Sequence, residues 1–185
     1  MTQSMARCND LHSVPSARHA ALRYTTRQAL ATANRVLKIR IEKIISAGLA
    51  EVWRAFDDHD NLGRWQPTLA SCTHKFGKPG QPDAVTELQY NENGKQVTIT
   101  ETITERRQPV FLAATYDSAW GKTLTVNHFE AIDDSTTRWV VYSNIAFKGF
   151  MKLASVFVAG SIQKRNDADM QRFKHYVENT RVGNS

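Results

Sequence analysis

The sequence predicts an α+β fold in which a curved antiparallel sheet of seven strands packs against one long C-terminal helix. Three observations predict it. Strand-like segments follow one another through short turns, which makes neighbouring strands antiparallel. Two short helical segments separate the first strand from the other six. Helical periodicity then runs over Gly149–Asn179, roughly 45 Å at 1.5 Å per residue, which is longer than a small domain is wide.

The ordered part of the chain is predicted to begin with a half-buried strand. Over Val36–Ile45, charged and apolar residues alternate with the period of two that is typical of a strand with one wet face. Ser46 can then cap a short helix that carries Trp53 and Phe56. A second short helical turn is predicted over Asn61–Trp65.

Six further strands are predicted after the short helices, separated by turn residues. They are Thr68–Phe76, Ala84–Tyr90, Lys95–Glu105, Val110–Tyr116, Lys122–Ala131 and Thr137–Phe147. Asn91–Gly94 is a strong hairpin signal between the second and third of these. Taken as a four-residue loop, it predicts three facing pairs on one side of the sheet: Leu88 with Val97, Thr86 with Ile99, and Ala84 with Glu101.

The long helix divides into two halves of different character. Gln163–Val177 is amphipathic and predicts a helix that is docked on the sheet with one wet face. Phe150–Ile162 is apolar on nearly every side, with Lys152 as its one charged residue. Two interpretations stay open for this half: a fully buried helix, or a helix that roofs an apolar cavity and presents Phe157 to a ligand. Gly160 predicts a bend or a close approach of backbone.

The positive charge is concentrated at the N-terminus. The chain has a net charge of +6, but residues 1–35 carry five arginines against one aspartate, so the other 150 residues carry only +2. A nearly neutral body argues against a groove for nucleic acid. We therefore expect no nucleic-acid partner, and a monomer or weak dimer.

Cysteine content and hydropathy predict a cytoplasmic protein. Cys8 and Cys72 offer neither a disulfide framework nor a zinc spacing, so a reducing compartment is the default. No apolar run reaches the eighteen or so residues that a transmembrane helix needs. We expect no transmembrane segment.

The first 34 residues are rich in Arg, Ser, Thr and Ala and lack a hydrophobic period. Two interpretations are open: a mobile extension that the domain does not need, or a transit peptide that targets the protein to an organelle. We expect residues 1–35 to be such an extension, residues 36–180 to form the domain, and residues 181–185 to be a tail.

Several short motifs carry a resemblance to a known superfamily. They are Ile39–Ala47, Val52-Trp53, Phe56, Trp65–Pro67, Glu101–Ile103, Ser135–Arg138 and the closing helix. In these motifs and in the order of elements, residues 36–180 resemble the START-like (SRPBCC) superfamily and its polyketide cyclase/dehydrase-like proteins. The resemblance implies the helix-grip fold, in which the sheet curls around the last helix. It leaves the function open, because the superfamily includes carriers, enzymes and co-chaperones.

Glu101 is the strongest candidate for chemistry. The alternation of its strand places it on the same face as Val97, Ile99 and Ile103. A carboxylate on an apolar face is costly unless it is paired or protonated, and burial raises its pKa. We expect Glu101 to act as an acid or base or to hold a polar group of a ligand, unless an ion pair or a sheet edge explains it.

The remaining predicted site residues would line a pocket between sheet and helix. They are Trp65, Leu88, Tyr90, Val97, Ile99, Asn127, Trp139, Val141 and Phe157. Asn127 and Ser143 would be polar groups inside it, unless backbone or water satisfies them. Asp57–Asp60 holds four possible metal ligands in a row, but adjacent residues of one loop rarely converge on one ion. We expect no metal and no cofactor.

Three functions remain in competition. The first is a binding module that holds a lipid, a polyketide or a similar apolar molecule. The second is a cyclase or dehydratase that uses Glu101, with Asn127 or Tyr90 as helpers. The third is a co-chaperone-like interaction protein whose partner meets the apolar half of the helix. A second titratable group beside Glu101 is not evident, and this favours binding.

Overall fold

The computed structural model describes residues 36–182, without the side chains of residues 152–156 and 181–182. The predicted N-terminal extension lies outside the described residues. The strands are β1 (Val36–Ile45), β2 (Leu69–Phe76), β3 (Val85–Glu92), β4 (Lys95–Arg107), β5 (Phe111–Ser118), β6 (Gly121–Asp133) and β7 (Thr136–Phe147). The helices are α1 (Leu49–Asp57), α2 (Leu62–Trp65) and α3 (Met151–Val182), with a 3-10 turn at His59–Asn61.

Within residues 36–182, the seven strands form one antiparallel sheet in the order β1-β7-β6-β5-β4-β3-β2. From β2 to β7, each strand is joined to the next by a hairpin. The two short helices carry the chain from one edge strand, β1, to the other, β2. The predicted α+β helix-grip fold is confirmed. None of the described helices combines the length and the apolarity that crossing a bilayer requires.

The β3–β4 hairpin turns through two residues, whereas the sequence predicted a loop of four. Asn93 and Gly94 form the turn with φ angles of 50° and 75°, the left-handed values that an Asn-Gly hairpin turn needs. Leu88 therefore faces Ile99, and Thr86 faces Glu101. The predicted pairs are wrong by two residues, but the inward face is the predicted one, because side chains alternate with a period of two.

Aromatic rings from four elements form the centre of the core. Phe129 of β6 and Trp139 of β7 stack with their centroids 5.7 Å apart. Phe173 of α3 meets the Trp139 ring edge-on at 4.9 Å, and Phe56 of α1 meets it at 5.7 Å. This cluster holds the second half of α3 and the short helices against the sheet.

The second half of α3 docks on the sheet as predicted. Met170, Phe173 and Val177 are buried at helical spacing. Its polar flank is tied to the β1 edge, where the Lys174 Nζ atom donates to the Ile44 carbonyl at 2.7 Å. Ser46 does not cap α1, since Gly48 is the capping residue; the Ser46 backbone N–H instead donates to the Glu178 carboxylate at 2.7 Å.

The first half of α3 does not present Phe157 to a cavity. Met151, Val158 and Ile162 form the stripe that packs against the core, and Phe157 lies one residue, or about 100°, away from Val158 around the helix. Its side chain is 86% exposed. The fully buried interpretation of this half is also wrong. A Cβ atom at Gly160 would meet nothing within 4 Å, so this glycine does not serve a close approach.

Candidate functional site

A cavity of about 340 Å³ lies between the inner face of the sheet, the short helices and α3. Its walls are mainly apolar, because the inward positions of β3, β4, β5 and β7 carry mostly branched and aromatic side chains. The apolar wall residues are Phe56, Leu62, Trp65, Leu88, Ile99, Ile103, Leu112, Trp139, Val141, Ile145, Ile162 and Met170. Among the residues of α3 whose side chains are described, Ile162 at the end of the first half and Arg165, Asn166, Asp169 and Met170 of the second half line the cavity.

Two polar pairs from β6 and β7 also reach the cavity. The hydroxyls of Thr125 and Ser143 hydrogen bond to each other at 3.2 Å. The Asn127 Oδ1 atom accepts a hydrogen bond from the Trp139 indole at 3.1 Å, and its Nδ2 atom donates to the Leu112 carbonyl at 3.5 Å. Asn127 is thus satisfied by the protein and orients the Trp139 ring.

Glu101 lies on the cavity wall with a tyrosine as its partner. The Tyr116 hydroxyl, from the neighbouring strand β5, donates to the Glu101 Oε1 atom at 2.7 Å. Among the described residues, Glu101 forms no ion pair, so nothing neutralises its carboxylate directly. Burial raises the pKa of Glu101, and the Tyr116 hydrogen bond and the His59 charge oppose that shift only in part. The predicted direction of the pKa shift is confirmed.

Tyr116 and Tyr90 are kept in their neutral forms at this site. Burial raises the pKa of the Tyr116 phenol well above its ordinary value, and the nearby Glu101 carboxylate adds to the shift. Burial likewise raises the pKa of Tyr90. Both phenols therefore remain hydrogen-bond donors at neutral pH, and neither can act as a base.

The shifted pKa makes stability depend on pH through Glu101. A raised folded-state pKa stabilises the protein below the unfolded value of about 4.3, and this stabilisation is lost as pH rises through the folded value. Glu101→Gln is neutral at every pH and can still accept from Tyr116. In urea titrations, we expect its free energy of unfolding relative to the wild type to increase as pH rises from about 4 through the folded-state pKa of Glu101, and then to level off.

Glu87→Gln provides the control, because Glu87 lies on the outer face of β3 beside Lys75 at 3.3 Å. Exposed pairs of this kind contribute less than about 1 kcal/mol. If both variants showed the same pH dependence relative to the wild type, Glu101 would not be a desolvated carboxyl.

One end of the cavity is bounded by Arg165 of α3. Its guanidinium pairs with the Glu92 carboxylate, hydrogen bonds to the Thr68 hydroxyl at 3.2 Å, and lies 5.6 Å from the centre of the Tyr90 ring. The Tyr90 hydroxyl donates to the Gln66 Oε1 atom at 2.6 Å. These contacts join α3 to β3 and to the segment after α2.

Seven of the nine predicted pocket residues line this cavity, together with Glu101 and Ser143. The seven are Trp65, Leu88, Tyr90, Ile99, Asn127, Trp139 and Val141. Val97 does not line it; it packs with Leu88 and Tyr90 in a smaller apolar cluster at the hairpin end of the sheet. Phe157 is exposed, as described above.

Sequence reasoning missed Tyr116 as the partner of Glu101. The cause is a β-bulge between Ile103 and Glu105, which shifts the β4–β5 register by one residue. If the register of the Arg107–Phe111 pair continued along β4 and β5 without the bulge, Glu101 would face Asp117. Tyr116 would then lie on the outer face of the sheet. No feature of the sequence around Thr104 marks the bulge.

The acidic run at Asp57–Asp60 does not form a metal site. Among the described residues, no group of three or more His, Cys, Asp or Glu side chains is arranged to hold a metal ion. Asp57 pairs with Arg106, and Asp58 caps the following 3-10 turn by accepting from the Asp60 N–H at 3.0 Å.

Comparisons with known proteins agree with this architecture. Residues 36–178 match the family described as polyketide cyclase / dehydrase and lipid transport. No curated protein matches the sequence. Among solved structures, Ara h 8.0201 is similar with a TM-score of 0.65 at 18% identity, over 77% of this chain and 97% of that chain.

Two bacterial structures show the same likeness. The Zhui aromatase/cyclase from Streptomyces sp. R1128 has a TM-score of 0.65 at 12% identity, over 78% of this chain and 94% of that one. TTHA0849 from Thermus thermophilus has a TM-score of 0.64 at 15% identity, over 76% and 96%. At these identities, the similarity shows the fold alone.

Proposed function

The chain belongs to the polyketide cyclase / dehydrase and lipid-transport family, and we propose that it binds an apolar small molecule, such as a lipid or a polyketide, between the sheet and α3. The observation that carries this proposal is the cavity of about 340 Å³ with largely apolar walls. Well-packed cores contain few voids larger than a water molecule. An unfilled space of this size between the sheet and α3 is therefore consistent with a ligand site.

The size of the cavity favours a compact ligand. Small-molecule sites commonly measure about 300–1,000 Å³, and this one lies at the low end of that range. Rings of Trp65 and Trp139 on its walls favour a flat or ring-containing molecule, because offset stacking adds to the burial of apolar area. The polar groups around Glu101 would fix the orientation of such a ligand.

A substitution that fills the cavity tests this proposal. Thr125 points inward from β6, so Thr125→Phe should occupy space that the ligand needs. We expect the variant to bind the neutral fluorescent probe N-phenyl-1-naphthylamine at least about tenfold more weakly than the wild type, a loss of about 1.4 kcal/mol. Its free energy of unfolding should fall by no more than about 1–3 kcal/mol, the cost of leaving the Ser143 hydroxyl without its partner, because the new ring itself enters an existing void.

Val126→Phe is the matched control, since the next residue of β6 lies on the opposite face of the sheet, where it is paired with Tyr142. Val126→Phe should bind the probe as the wild type does. Equal loss of binding in both variants, or none in either, would place the probe outside the cavity.

The Glu101–Tyr116 pair supports a second candidate, a cyclase or dehydratase activity. A protonated carboxyl in an apolar cavity can act as a general acid. Glu101 would protonate the leaving hydroxyl, the α C–H electron pair would form the double bond as water departs, and the resulting Glu101 carboxylate would take up the α-proton. Dehydration of a β-hydroxy ketone to its conjugated enone, followed by absorbance, would test this. An enzyme should exceed the buffer rate and lose that advantage in Glu101→Gln, whereas a carrier should show no acceleration.

The exposed aromatic side chains of Phe150 and Phe157 are the observation in favour of the third candidate, an interaction protein. They are 77% and 86% exposed, and apolar surface of this kind is a common feature of interaction sites. Among the described residues, nothing beside these two rings indicates what kind of partner would bind there. Ligand binding is therefore the better supported function.

A further inference from the structure

The Glu101 carboxyl is placed to select ligands by charge. One of its oxygens accepts from the Tyr116 hydroxyl at 2.7 Å, and no other protein hydrogen bond to the carboxyl is found among the described residues. Because Glu101 lines the cavity, the second oxygen is available to a ligand there. A neutral carboxyl group has one O–H donor, and a carboxylate has none.

Among the described residues, Glu101 forms no ion pair with His59 or Arg165, the two basic side chains that line the cavity. The titratable side chains that face it from the surrounding elements are Asp57, His59, Tyr90, Tyr116, Arg165 and Asp169. Cys72 of β2 is not among the cavity-lining residues, and burial raises the pKa of its thiol. Arg165 is paired with Glu92 and Asp169, and Asp57 is paired with Arg106.

Filling the cavity is therefore expected to favour the neutral form of the Glu101 carboxyl. Burial is the main influence on its pKa and raises it, while the His59 charge opposes this only in part. A ligand that expels water strengthens the same effect, because desolvation disfavours charge. A ligand carboxylate placed against Glu101 would lose water there, which is costly for a charge, and Glu101 would repel it whenever its own carboxyl is ionised.

We propose that Glu101 is the residue that determines specificity in this cavity: its carboxylic acid donates a hydrogen bond to the carbonyl oxygen of a neutral, ring-containing ligand, and the cavity rejects carboxylate ligands. The inference rests on the proposed function, since it requires that a ligand enters the cavity. On this proposal, the cavity accepts neutral ketones and quinone-like molecules and excludes fatty acids.

Three probes with one ring system test the proposal by isothermal titration calorimetry: naphthalene, 2-acetylnaphthalene and 2-naphthoate. At the acid end of a pH titration, below the pKa of Glu101, the ketone should bind the wild type about three- to tenfold more tightly than naphthalene, the gain expected of one hydrogen bond. Naphthoate should bind at least tenfold more weakly than the ketone. The carbonyl ¹³C resonance of labelled 2-acetylnaphthalene should move downfield on binding, as a hydrogen-bonded carbonyl does.

Two variants assign the effect to the carboxyl. Glu101→Leu removes the donor and should bind the ketone and naphthalene equally, without the carbonyl shift. Glu101→Gln keeps a neutral donor and should retain the preference. In the wild type the preference should disappear as pH rises through the pKa of Glu101, and in Glu101→Gln it should not change with pH.

The outcomes distinguish the inference from the function on which it rests. If all three probes bind with equal affinity, or if Glu101→Leu keeps the ketone preference, the inference is wrong while the cavity remains a binding site. If Glu101→Leu does not fold, an unchanging ketone preference across the pH titration of the wild type overturns the inference alone. If no probe binds and Thr125→Phe behaves as the wild type, the proposed function fails and the inference with it.

Discussion

Phe173→Ala is expected to lower the free energy of unfolding by about 3–5 kcal/mol, the usual cost of deleting a fully buried aromatic ring. Phe173 has no exposed surface, and its ring meets the edges or faces of Trp139, Trp65 and Phe56 at centroid distances of 4.9–6.1 Å. It is not among the cavity-lining residues, so the missing ring would leave a new void. Urea unfolding, followed by the far-ultraviolet signal, measures the loss.

Phe157→Ala is the matched control, because it makes the same change in the same helix. Phe157 is 86% exposed, and we expect the free energy of unfolding to change by less than about 0.5 kcal/mol. A comparable loss in both variants would mean that the first half of α3 is packed against other parts of the chain, contrary to the exposure of Phe157.

Asp57→Ala is expected to cost about 3 kcal/mol, because it leaves a buried cation without its partner. The Arg106 side chain is only 9% exposed. Its Nη2 atom donates to the Asp57 Oδ2 atom at 2.6 Å, and its Nη1 atom donates to the Gly80 carbonyl at 2.8 Å. The guanidinium also lies 5.3 Å from the centre of the Trp53 ring.

A double-mutant cycle identifies the origin of that cost. Asp57→Ala combined with Arg106→Met removes both charges, and it should be less destabilising than the sum of the single changes. Asp117→Ala is the control for an ion pair in solvent: Asp117 and Lys148 are 2.7 Å apart but about half exposed, so this change should cost less than about 1 kcal/mol. If Asp57→Ala lowers the free energy of unfolding as little as Asp117→Ala does, water must hydrate the Arg106 guanidinium once its partner is removed.

The sequence was informative wherever a structural element depends on local periodicity. The bounds of β1 were predicted to the residue, and the alternation of apolar and charged residues over Leu37–Glu42 identified it as a strand. The inward face of β3 and β4 was also predicted, although the register was wrong by two residues. A period of two preserves the face through such an error. Glu101 was therefore recognised as an inward carboxylate before its contacts were known.

The long helix shows where local pattern is not enough. Periodicity located α3, and it also identified the docked stripe that contains Met170 and Phe173. It could not say which part of the helix lies over the cavity. Phe157 is exposed and Val158 packs against the core because the two residues point in different directions around the helix axis. The angle at which α3 crosses the sheet decides which of them meets the core.

The sequence by itself determined the order of strands and helices, the inward face of the sheet and the presence of one acidic side chain on that face. These properties follow from side-chain alternation and from turn residues, which act over a few positions. Only the tertiary structure decided that Tyr116 meets Glu101, that Asp57 neutralises Arg106, and that residues such as Ile162 and Met170 of α3 line the cavity. The first depends on one β-bulge, and the others depend on how distant segments pack, so no local pattern of residues could predict them.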